Sequence, residues 1–342
     1  MLQLNFDAHK CDLCKTQACL VRCQYLDLDG AAAKREMGKI IRGEDSFVLD
    51  TCVGCYACEE YCQMGNHPFY LIVERQEEKG VLAAPRAVTS MMVDQMAPRG
   101  KFTVGTIEAK ALSFCFLAEL QFLATGRLFD SIGSSYVFGR EFACPAYGLH
   151  YGKASVVKEG LPRVIENIER LGIKELVCMH DECYATFKSL APAYGLVPHF
   201  KPIHYFEYLY GKLKELEAEL RPLKVKVAYQ RPCSARLHPQ TDHFVDDIFE
   251  LIGVERVERE YDREDALCCG TTIRSNKGFD LGDDVQKRNA DDMVKAGAEC
   301  CVFNCPACQI GLEENVGRRG IRLIHMVDIC KMAIGEEPMS GE

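Results

Sequence analysis

The sequence predicts an α+β protein of several domains, in which a small helical N-terminal module precedes two related α/β halves. The length of 342 residues suits two domains, or three if one of them is small. Eight of the twenty cysteines fall in two tight runs before residue 70. The rest of the chain matches itself when it is shifted by 125 residues. We therefore expect the module over 1–85 and the halves over 105–221 and 222–335.

The composition excludes several classes of protein. Hydrophobic residues make up 48% of the chain and charged residues 27%, which is ordinary for a soluble globular protein. The formal net charge is -9 and no block of Lys and Arg is present, so nucleic acid is not an expected partner. Residues 1–10 do not resemble a signal peptide, and the most apolar stretch, 111–123, is too short to span a membrane. We expect a cytoplasmic protein without a transmembrane segment, which can still associate with a membrane complex.

The cysteine content indicates metal binding rather than disulfides. Disulfide-rich chains are typically small and secreted, whereas this chain is long, rich in apolar residues and without an export signal. Neither a phosphate-binding P-loop nor a GxGxxG stretch is present. Any flavin or nicotinamide chemistry is therefore expected on a partner protein.

Two cysteine runs near the N-terminus have the spacing of iron–sulfur ligands. Their patterns are CxxCx4CxxxC and CxxCxxCxxxC. The fourth cysteine of each run ligates the other cluster in two-cluster ferredoxins, which gives a crossed assignment of two [4Fe-4S] clusters. Cluster 1 takes Cys11, Cys14, Cys19 and Cys62, and cluster 2 takes Cys52, Cys55, Cys58 and Cys23.

Met37, Ile40 and Ile41 lie between the runs at helical spacing, and the region resembles the α-helical two-cluster ferredoxin module. Paired zinc sites are the alternative, because they also use CxxC pairs.

The internal repeat gives each half the same order of elements. The shift lays Cys144 on Cys269 and Cys183 on Cys308. In each half a helical pattern precedes a strand and then a loop with cysteines. The predicted helix and strand are 156–171 and 175–179 in the first half, and 283–296 and 300–304 in the second.

The second half contains five cysteines in a distinctive order. They are Cys233, the adjacent Cys268 and Cys269 followed by Gly270, and Cys305 with Cys308 in CPAC. They follow predicted strands and Gly-rich turns, so we expect them to converge at one edge of a sheet. This arrangement resembles the cysteine-rich CCG domain of heterodisulfide reductase B and D subunits and related iron–sulfur oxidoreductases. The resemblance extends over nearly the whole chain, and the fusion order is that of the D subunit.

The resemblance implies that these five cysteines hold a noncubane iron–sulfur cluster at which disulfide bonds are split. The alternatives are a zinc site that uses four of the five thiolates, or buried cysteines without a metal. His238 is the candidate proton donor near this site. Arg231 and Arg236 flank Cys233 and are candidates to stabilise an anionic cluster or thiolate.

The first half departs from the five-cysteine pattern. Ala143 and Pro145 flank Cys144 where the second half has Cys268 and Gly270, and His180 falls on Cys305. The remaining candidate ligands are Cys115, Cys144, His180 and Cys183, with Cys178 as a substitute. Such a set suits tetrahedral zinc or a [4Fe-4S] cluster with one imidazole ligand, and a relic without metal is the third alternative.

Three functions follow as hypotheses. The first is a subunit of a heterodisulfide-reductase-like redox complex that has a flavin-containing partner. Such a subunit would pass electrons between the [4Fe-4S] clusters and the CCG cluster, and would reduce a disulfide or a similar two-electron acceptor. The altered first half argues against the heterodisulfide itself as that substrate. The second is an electron-relaying subunit of an organic-acid dehydrogenase, as in the related glycolate and glycerol-3-phosphate oxidising systems. The third is a zinc-binding structural scaffold.

Overall fold

The computed structural model describes residues 6–338 as a mixed α/β protein with two separate sheets. This confirms the mixture of helices and sheets that the sequence predicts. None of the helices in 6–338 combines the length and the apolar character that crossing a bilayer requires.

Seven helices precede the first strand. They are α1 (Ala8–Leu13), α2 (Ala18–Val21), α3 (Gly30–Arg42), α4 (Phe47–Thr51), α5 (Ala57–Tyr61), α6 (Pro68–Lys79) and α7 (Arg86–Met96). Several of them are short because a cysteine in extended conformation ends the helix, as Cys14, Cys52 and Cys62 do. The cysteines of this region therefore lie at helix ends and in the turns between helices.

The two long helices α3 and α6 form the apolar centre of this region. Asp29 caps α3, because its side chain accepts a hydrogen bond from the backbone N–H of Ala32. Met37 and Ile40 of α3 are fully buried in one cluster with Leu71 of α6. The helical spacing of these apolar residues is thus explained by packing of α3 on α6.

The first sheet contains five strands. They are β1 (Phe102–Val104), β2 (Lys110–Ser113), β3 (Tyr136–Gly139), β4 (Glu175–Cys178) and β5 (Lys201–His204). The helices of this part are α8 (Glu119–Leu123), α9 (Tyr147–His150), α10 (Ala154–Glu169), α11 (Asp181–Ala185), α12 (Ala191–Ala193) and α13 (Tyr205–Glu215), with a π-helical turn at Thr186–Leu190. The strand order is β1-β3-β2-β4-β5, and β1 is the antiparallel edge of an otherwise parallel sheet.

The second sheet contains four parallel strands. They are β6 (Lys226–Gln230), β7 (Glu255–Arg256), β8 (Cys300–Phe303) and β9 (Arg322–His325). The helices are α14 (His243–Leu251), α15 (Thr271–Lys277), α16 (Phe279–Lys295), α17 (Pro306–Gly317) and α18 (Met326–Ala333). The order β7-β6-β8-β9 has the arrangement of β3-β2-β4-β5, and β4 and β8 start 125 residues apart.

One apolar core joins the two sheets. It contains Val177 of β4 and Leu209 of α13 together with Phe249 of α14, Val302 of β8 and Ile329 of α18. All five side chains are at least 98% buried. The sheets therefore pack through the helices between them, while the exact domain boundaries stay predictions.

A buried ionic junction attaches the N-terminal helices to the second sheet. Glu60 of α5 accepts hydrogen bonds from Arg231 at 2.6 and 3.0 Å and from Arg236 at 3.0 Å. The two arginine side chains are only 2% and 4% exposed. Arg236 also donates to the carbonyl oxygens of Glu264 and Ala266. The two guanidinium groups thus bind a carboxylate and backbone carbonyls, and this packing role differs from the thiolate-stabilising role expected from the sequence.

We predict that Glu60→Gln lowers the free energy of unfolding by about 2–3 kcal/mol, because two buried guanidinium groups lose their shared counter-charge but keep other acceptors. Chemical denaturation of the anaerobically purified protein measures this change. Glu166→Gln is the matched control, since its ion pair with Arg170 is mostly exposed, and we expect it to cost less than about 0.5 kcal/mol. Equal effects of the two substitutions would contradict a structural role for the Glu60 junction.

Candidate metal centres and the cavity beside them

The two N-terminal cysteine runs fold back on each other. Asn66 donates hydrogen bonds from its side chain to Sγ of Cys11 and from its backbone N–H to Sγ of Cys62, both at 3.4 Å. Burial is the main cause that raises the pKa of Cys19, and the nearby Cys62 and Cys11 raise it further. The structure thus brings the last cysteine of the second run to the first run.

The other cysteines of these runs surround a small cavity. Its volume is about 30 Å³ and its lining is mostly apolar. The cysteines that line it are Cys19, Cys23, Cys52, Cys55 and Cys58. Burial raises the pKa of Cys55, and Cys23 raises it further, so the last cysteine of the first run lies by the second run. A water-poor setting with several thiols fits an iron–sulfur cluster, and the assignment of these thiols to two clusters stays a prediction.

The five cysteines of the second half converge from three loops. Cys233 opens a 3₁₀ turn after β6, Cys268 and Cys269 precede α15, and Cys305 caps α17 with Cys308 in its first turn. The sequence folds this way because strands β6 and β8 are neighbours in the sheet, so that their carboxyl ends lie side by side.

Gly270 allows the adjacent cysteines to approach α16. Its φ is +82°, and a Cβ atom at this position would lie 2.6 Å from Cγ of Gln286 and 2.8 Å from the carbonyl oxygen of Gly282. Any side chain here would therefore be strained and would clash. The N–H of Gly270 points at Sγ of Cys268 at 3.5 Å, and Thr271 donates to the carbonyl oxygen of Ala307 at 2.6 Å. The turn after the cysteine pair is thus tied to the loop of Cys305 and Cys308.

Contacts between neighbouring thiols shift the pKa values of four of these cysteines in opposite directions. Contact with Cys268 and Cys308 lowers the pKa of Cys269 well below its usual value. Contact with Cys308 is the main cause that lowers the pKa of Cys305 to about 6. Contacts with neighbouring thiols raise the pKa values of Cys268 and Cys308. Thiolates are the metal-binding form, so the crowding of these side chains suits a metal cluster.

The structure also brings together the four candidate ligands of the first half. The ligand atoms of Cys115, Cys144, His180 and Cys183 all lie within 4.8 Å of one another. Sγ of Cys115 is 3.7 Å from Sγ of Cys144, and the three cysteines are fully buried. The substitute ligand Cys178 is also buried, but its thiol points to the carbonyl oxygen of Leu176.

Two backbone features position this group. Cys115 follows β2 with a φ of +56°, which is uncommon for a residue with a side chain and tends to occur at functional sites. His180 follows β4 and caps α11, which places Cys183 within the first turn of that helix. Three of the four candidate ligands of the first half therefore also follow the ends of neighbouring parallel strands, here β2 and β4, while Cys144 follows β3.

His180 lies between the two groups of candidate metal ligands. Burial opposes its protonation, but contacts with Cys115, Cys144 and Cys305 outweigh burial and raise its pKa well above the usual value. One imidazole thus touches thiols of both halves.

A cavity of about 330 Å³ opens beside the five cysteines. All five of them line it, together with His150, His180 and Glu182. Most of the remaining lining is apolar. A mainly apolar cavity of this size with a few polar groups is typical of small-molecule sites.

His238 does not line this cavity. It is fully buried, with its ring against Tyr184 and His204, and its Nδ1 lies 2.8 Å from Oγ1 of Thr241. Burial is the main cause that lowers the pKa of His238 to about 3. The proton-donor role expected for His238 is therefore not supported by its position or its charge state.

Asp181, His204 and His238 form a second close group, with ligand atoms within 4.8 Å. Nδ1 of His204 accepts a hydrogen bond from the backbone N–H of Phe206, so the ring proton of a neutral His204 lies on Nε2. That Nε2–H donates to Asp181 at 3.3 Å. Since the proton occupies the nitrogen that a metal would need, we interpret this group as a hydrogen-bonded network.

The ion pair of His150 and Glu182 was not found from the sequence. Nε2 of His150 lies 2.8 Å from Glu182, and Nδ1 lies 3.0 Å from the carbonyl oxygen of Gly54. Both partners accept hydrogen bonds, so both ring nitrogens carry protons. Burial opposes this charge, but Glu182 outweighs burial and raises the pKa of His150 to about 9. The only sequence signal was the place of Glu182 between the ligands His180 and Cys183.

Comparison with known proteins identifies one segment of the chain. Residues 227–313 match the family model of the cysteine-rich CCG domain. This segment is therefore similar to CCG domains, and we call it the CCG domain. All five cysteines from Cys233 to Cys308 lie within it, and the resemblance inferred from their spacing is confirmed.

The chain is also similar to the B subunit of the ferredoxin:CoB-CoM heterodisulfide reductase of Methanosarcina mazei. The two are 28% identical over 156 residues, which cover 40% of this chain and 51% of the relative. The chain thus spans about half the length of that relative. Together with the CCG domain, this similarity supports an iron–sulfur redox protein that resembles the heterodisulfide reductase B subunit. The N-terminal ferredoxin module stays a prediction.

We predict that His150 makes stability depend on pH above neutrality. Its pKa is about 9 in the folded protein against an ordinary value of 6.5, so its pairing with Glu182 contributes fully below pH 6.5 and is lost as the pH rises through 9. The free energy of unfolding should fall across this window, and it should fall less steeply in His150→Gln. Denaturation at several pH values measures both slopes. His243→Gln, which alters an exposed histidine, is the control, and an unchanged slope in His150→Gln would refute the assignment.

Proposed function

We propose that this chain is an iron–sulfur redox subunit in which electrons pass between two [4Fe-4S] clusters of the N-terminal helices and a noncubane cluster of the CCG domain. We further propose that a disulfide is reduced in the cavity beside the CCG cysteines. The observation that carries this proposal is the cavity itself, because all five CCG cysteines lie in its wall. An iron–sulfur cluster at these thiolates would supply electrons to a bound two-electron acceptor.

The packing of the N-terminal helices supports electron passage to the CCG domain. Tyr25, Val53 and Cys55 belong to the same apolar cluster as Cys268. Burial raises the pKa of Tyr25 well above its usual value, and the nearby Cys55 and Cys268 raise it further. Dense apolar protein thus connects the second cysteine run with the CCG cysteines.

The opposite end of the N-terminal region is accessible to a partner. Leu13, between Cys11 and Cys14, is 59% exposed, and both cysteines are partly exposed. A protein that donates or accepts electrons can therefore approach the proposed cluster 1. The relative is named as a subunit, which supports our proposal that this chain also works in a complex, together with a flavin-containing partner.

We propose a single zinc ion, rather than a further [4Fe-4S] cluster, for the first-half group. Zinc binds thiolate at about 2.3 Å in a tetrahedron, which sets neighbouring sulfurs about 3.8 Å apart. The 3.7 Å between Sγ of Cys115 and Sγ of Cys144 supports this ion. The four ligands of a [4Fe-4S] cluster each bind a different iron and lie farther apart. His180 would complete the tetrahedron.

Cys269→Ala tests the disulfide-reducing function. We expect the variant to retain about eight irons per chain from the two [4Fe-4S] clusters, and to lose the further iron and the paramagnetic resonance signal of the CCG cluster. Oxidation of the reduced protein by a disulfide should be lost in parallel. Cys330→Ala in α18, a buried cysteine within the apolar core, is the control and should keep all three properties. Undiminished disulfide reduction in Cys269→Ala would rule out the proposed site.

Cys183→Ala tests the zinc proposal separately. Bound zinc should fall from about one per chain to none while iron is unchanged, because the other three ligands are too few for a stable tetrahedral site. Elemental analysis of the anaerobic protein measures both metals. Cys178→Ala is the control from the same buried region. A loss of about four irons with no change in zinc would show a [4Fe-4S] cluster instead.

A further inference from the structure

We propose that the cavity beside the CCG cysteines selects neutral disulfides and rejects anionic ones. This inference rests on the proposed disulfide reduction and names its substrate class. It is carried by the charges of the cavity wall: within 6–338, neither lysine nor arginine lines the cavity. Enzymes that bind anionic substrates usually supply guanidinium or ammonium groups for them.

The charged groups that do line the cavity are anionic or already paired. Glu119 stands on the exposed side of the wall, and Glu182 is neutralised by His150 at 2.8 Å. His180 is surrounded by thiols. The negative charge of the five CCG thiolates would be offset by the iron that they bind. A carboxylate, sulfonate or phosphate that entered the cavity would therefore lose its hydration against a mainly apolar wall and would find neither a lysine nor an arginine to pair with.

Two nearby arginines line a different cavity. Arg140 and Arg163 line a separate cavity that shares Met96 and Tyr147 with the cavity beside the CCG cysteines. Within 6–338, neither guanidinium group lines the cavity beside the CCG cysteines.

The apolar part of the wall suits the carbon groups of a small disulfide. Met92 and Met96 of α7 line the cavity together with Phe116, Leu117 and Ile310. Ile310 is 72% exposed, which places it at the entrance. Methionine side chains adapt to ligands of different shape, so we expect the cavity to distinguish disulfides mainly by their charge.

The reaction in this cavity balances without a further reactant beyond an electron donor. One disulfide, two electrons and two protons give two thiols, and the sulfur–sulfur bond is the bond that breaks. The electrons come from a one-electron donor such as a reduced viologen, and the protons come from water. A neutral disulfide gives neutral thiols, so the reaction leaves no charged product in the mainly apolar cavity.

Three disulfides of similar size test the selectivity on the unaltered holoprotein. They are neutral bis(2-hydroxyethyl) disulfide, the dianion dithiodiacetate and the dication cystamine. Calorimetry on the oxidised protein, with no reductant present, measures binding apart from turnover. We expect the neutral compound to bind at least about tenfold more tightly than the dianion, and more tightly than the dication, because either charged compound would lose hydration against the mainly apolar wall. Equal or tighter binding of either charged compound would overturn the inference.

A charge added to the wall gives a second test. Met96→Lys places an ammonium group at the cavity and should reduce the preference for the neutral disulfide over the dianion by about tenfold. Met96→Gln, of similar length but neutral, and Val197→Lys, on a 77% exposed site elsewhere, are the controls and should keep the preference. An unchanged preference in a folded Met96→Lys variant would contradict the inference. If this variant does not fold, binding of the three disulfides to the unaltered protein decides the inference.

Turnover with reduced viologen separates this inference from the proposed function. If the neutral disulfide binds best but none is reduced, the selectivity of the cavity stands and the proposed reduction fails. If the dianion is bound and reduced best, the proposed reduction stands and the inference fails. If none of the three binds, both fail.

Discussion

The structure depends on parallel strands whose carboxyl ends lie side by side. Strands β2 and β4 of the first sheet and β6 and β8 of the second lead into the loops that carry the candidate ligands. Parallel neighbours place their carboxyl ends at one edge, so residues distant in sequence become neighbours without a long loop. The shared core between the sheets then brings the two edges together, as the contact of His180 with Cys305 shows. As a direct result of this arrangement, the thiols lie close together and share protons.

In both halves a cysteine-bearing turn packs closely against a helix, but the residues that allow this packing differ. In the second half, Gly270 lies against Gly282 of α16, and a Cβ on Gly270 would clash there. In the first half, Pro145 occupies the corresponding turn, and it packs against Gly160 of α10, where a Cβ would lie 2.9 Å from the proline ring. In the first half, the glycine that allows close packing, Gly160, thus lies in the helix and not in the turn. The first half keeps the close packing but has two thiols fewer, because Ala143 and His180 stand where the second half has Cys268 and Cys305.

Much of this arrangement is readable in the sequence because it is local or repeated. The predicted helix 156–171 and strand 175–179 correspond to α10 and β4, and 283–296 overlaps α16. The five cysteines of the CCG domain were found from spacing alone. Spacing is informative here because each ligand sits at a fixed distance from a strand end or a glycine turn.

What the sequence does not reveal is pairing across the fold. Glu60 binds Arg231, which is 171 residues away, and neither residue type nor spacing signals this contact. His150 likewise meets Glu182 only because α9 and α11 are brought together in space. The position of His238 does not support its expected role for this reason, since nearness to Cys233 along the chain does not decide where a side chain points. The thiolate-stabilising role expected for Arg231 and Arg236 stays a prediction: burial raises the pKa of Cys55, and Arg236 opposes that rise.

The junction at Glu60 has a dynamic consequence. The N-terminal helices cannot swing away from the CCG domain without removing the carboxylate from two guanidinium groups that are almost fully buried. The proposed passage of electrons between these two parts would therefore cross a gap that the junction holds fixed, without the hinged travel of a carrier domain. We accordingly expect solvent viscosity, which slows domain motion, to leave the rate of this step unchanged.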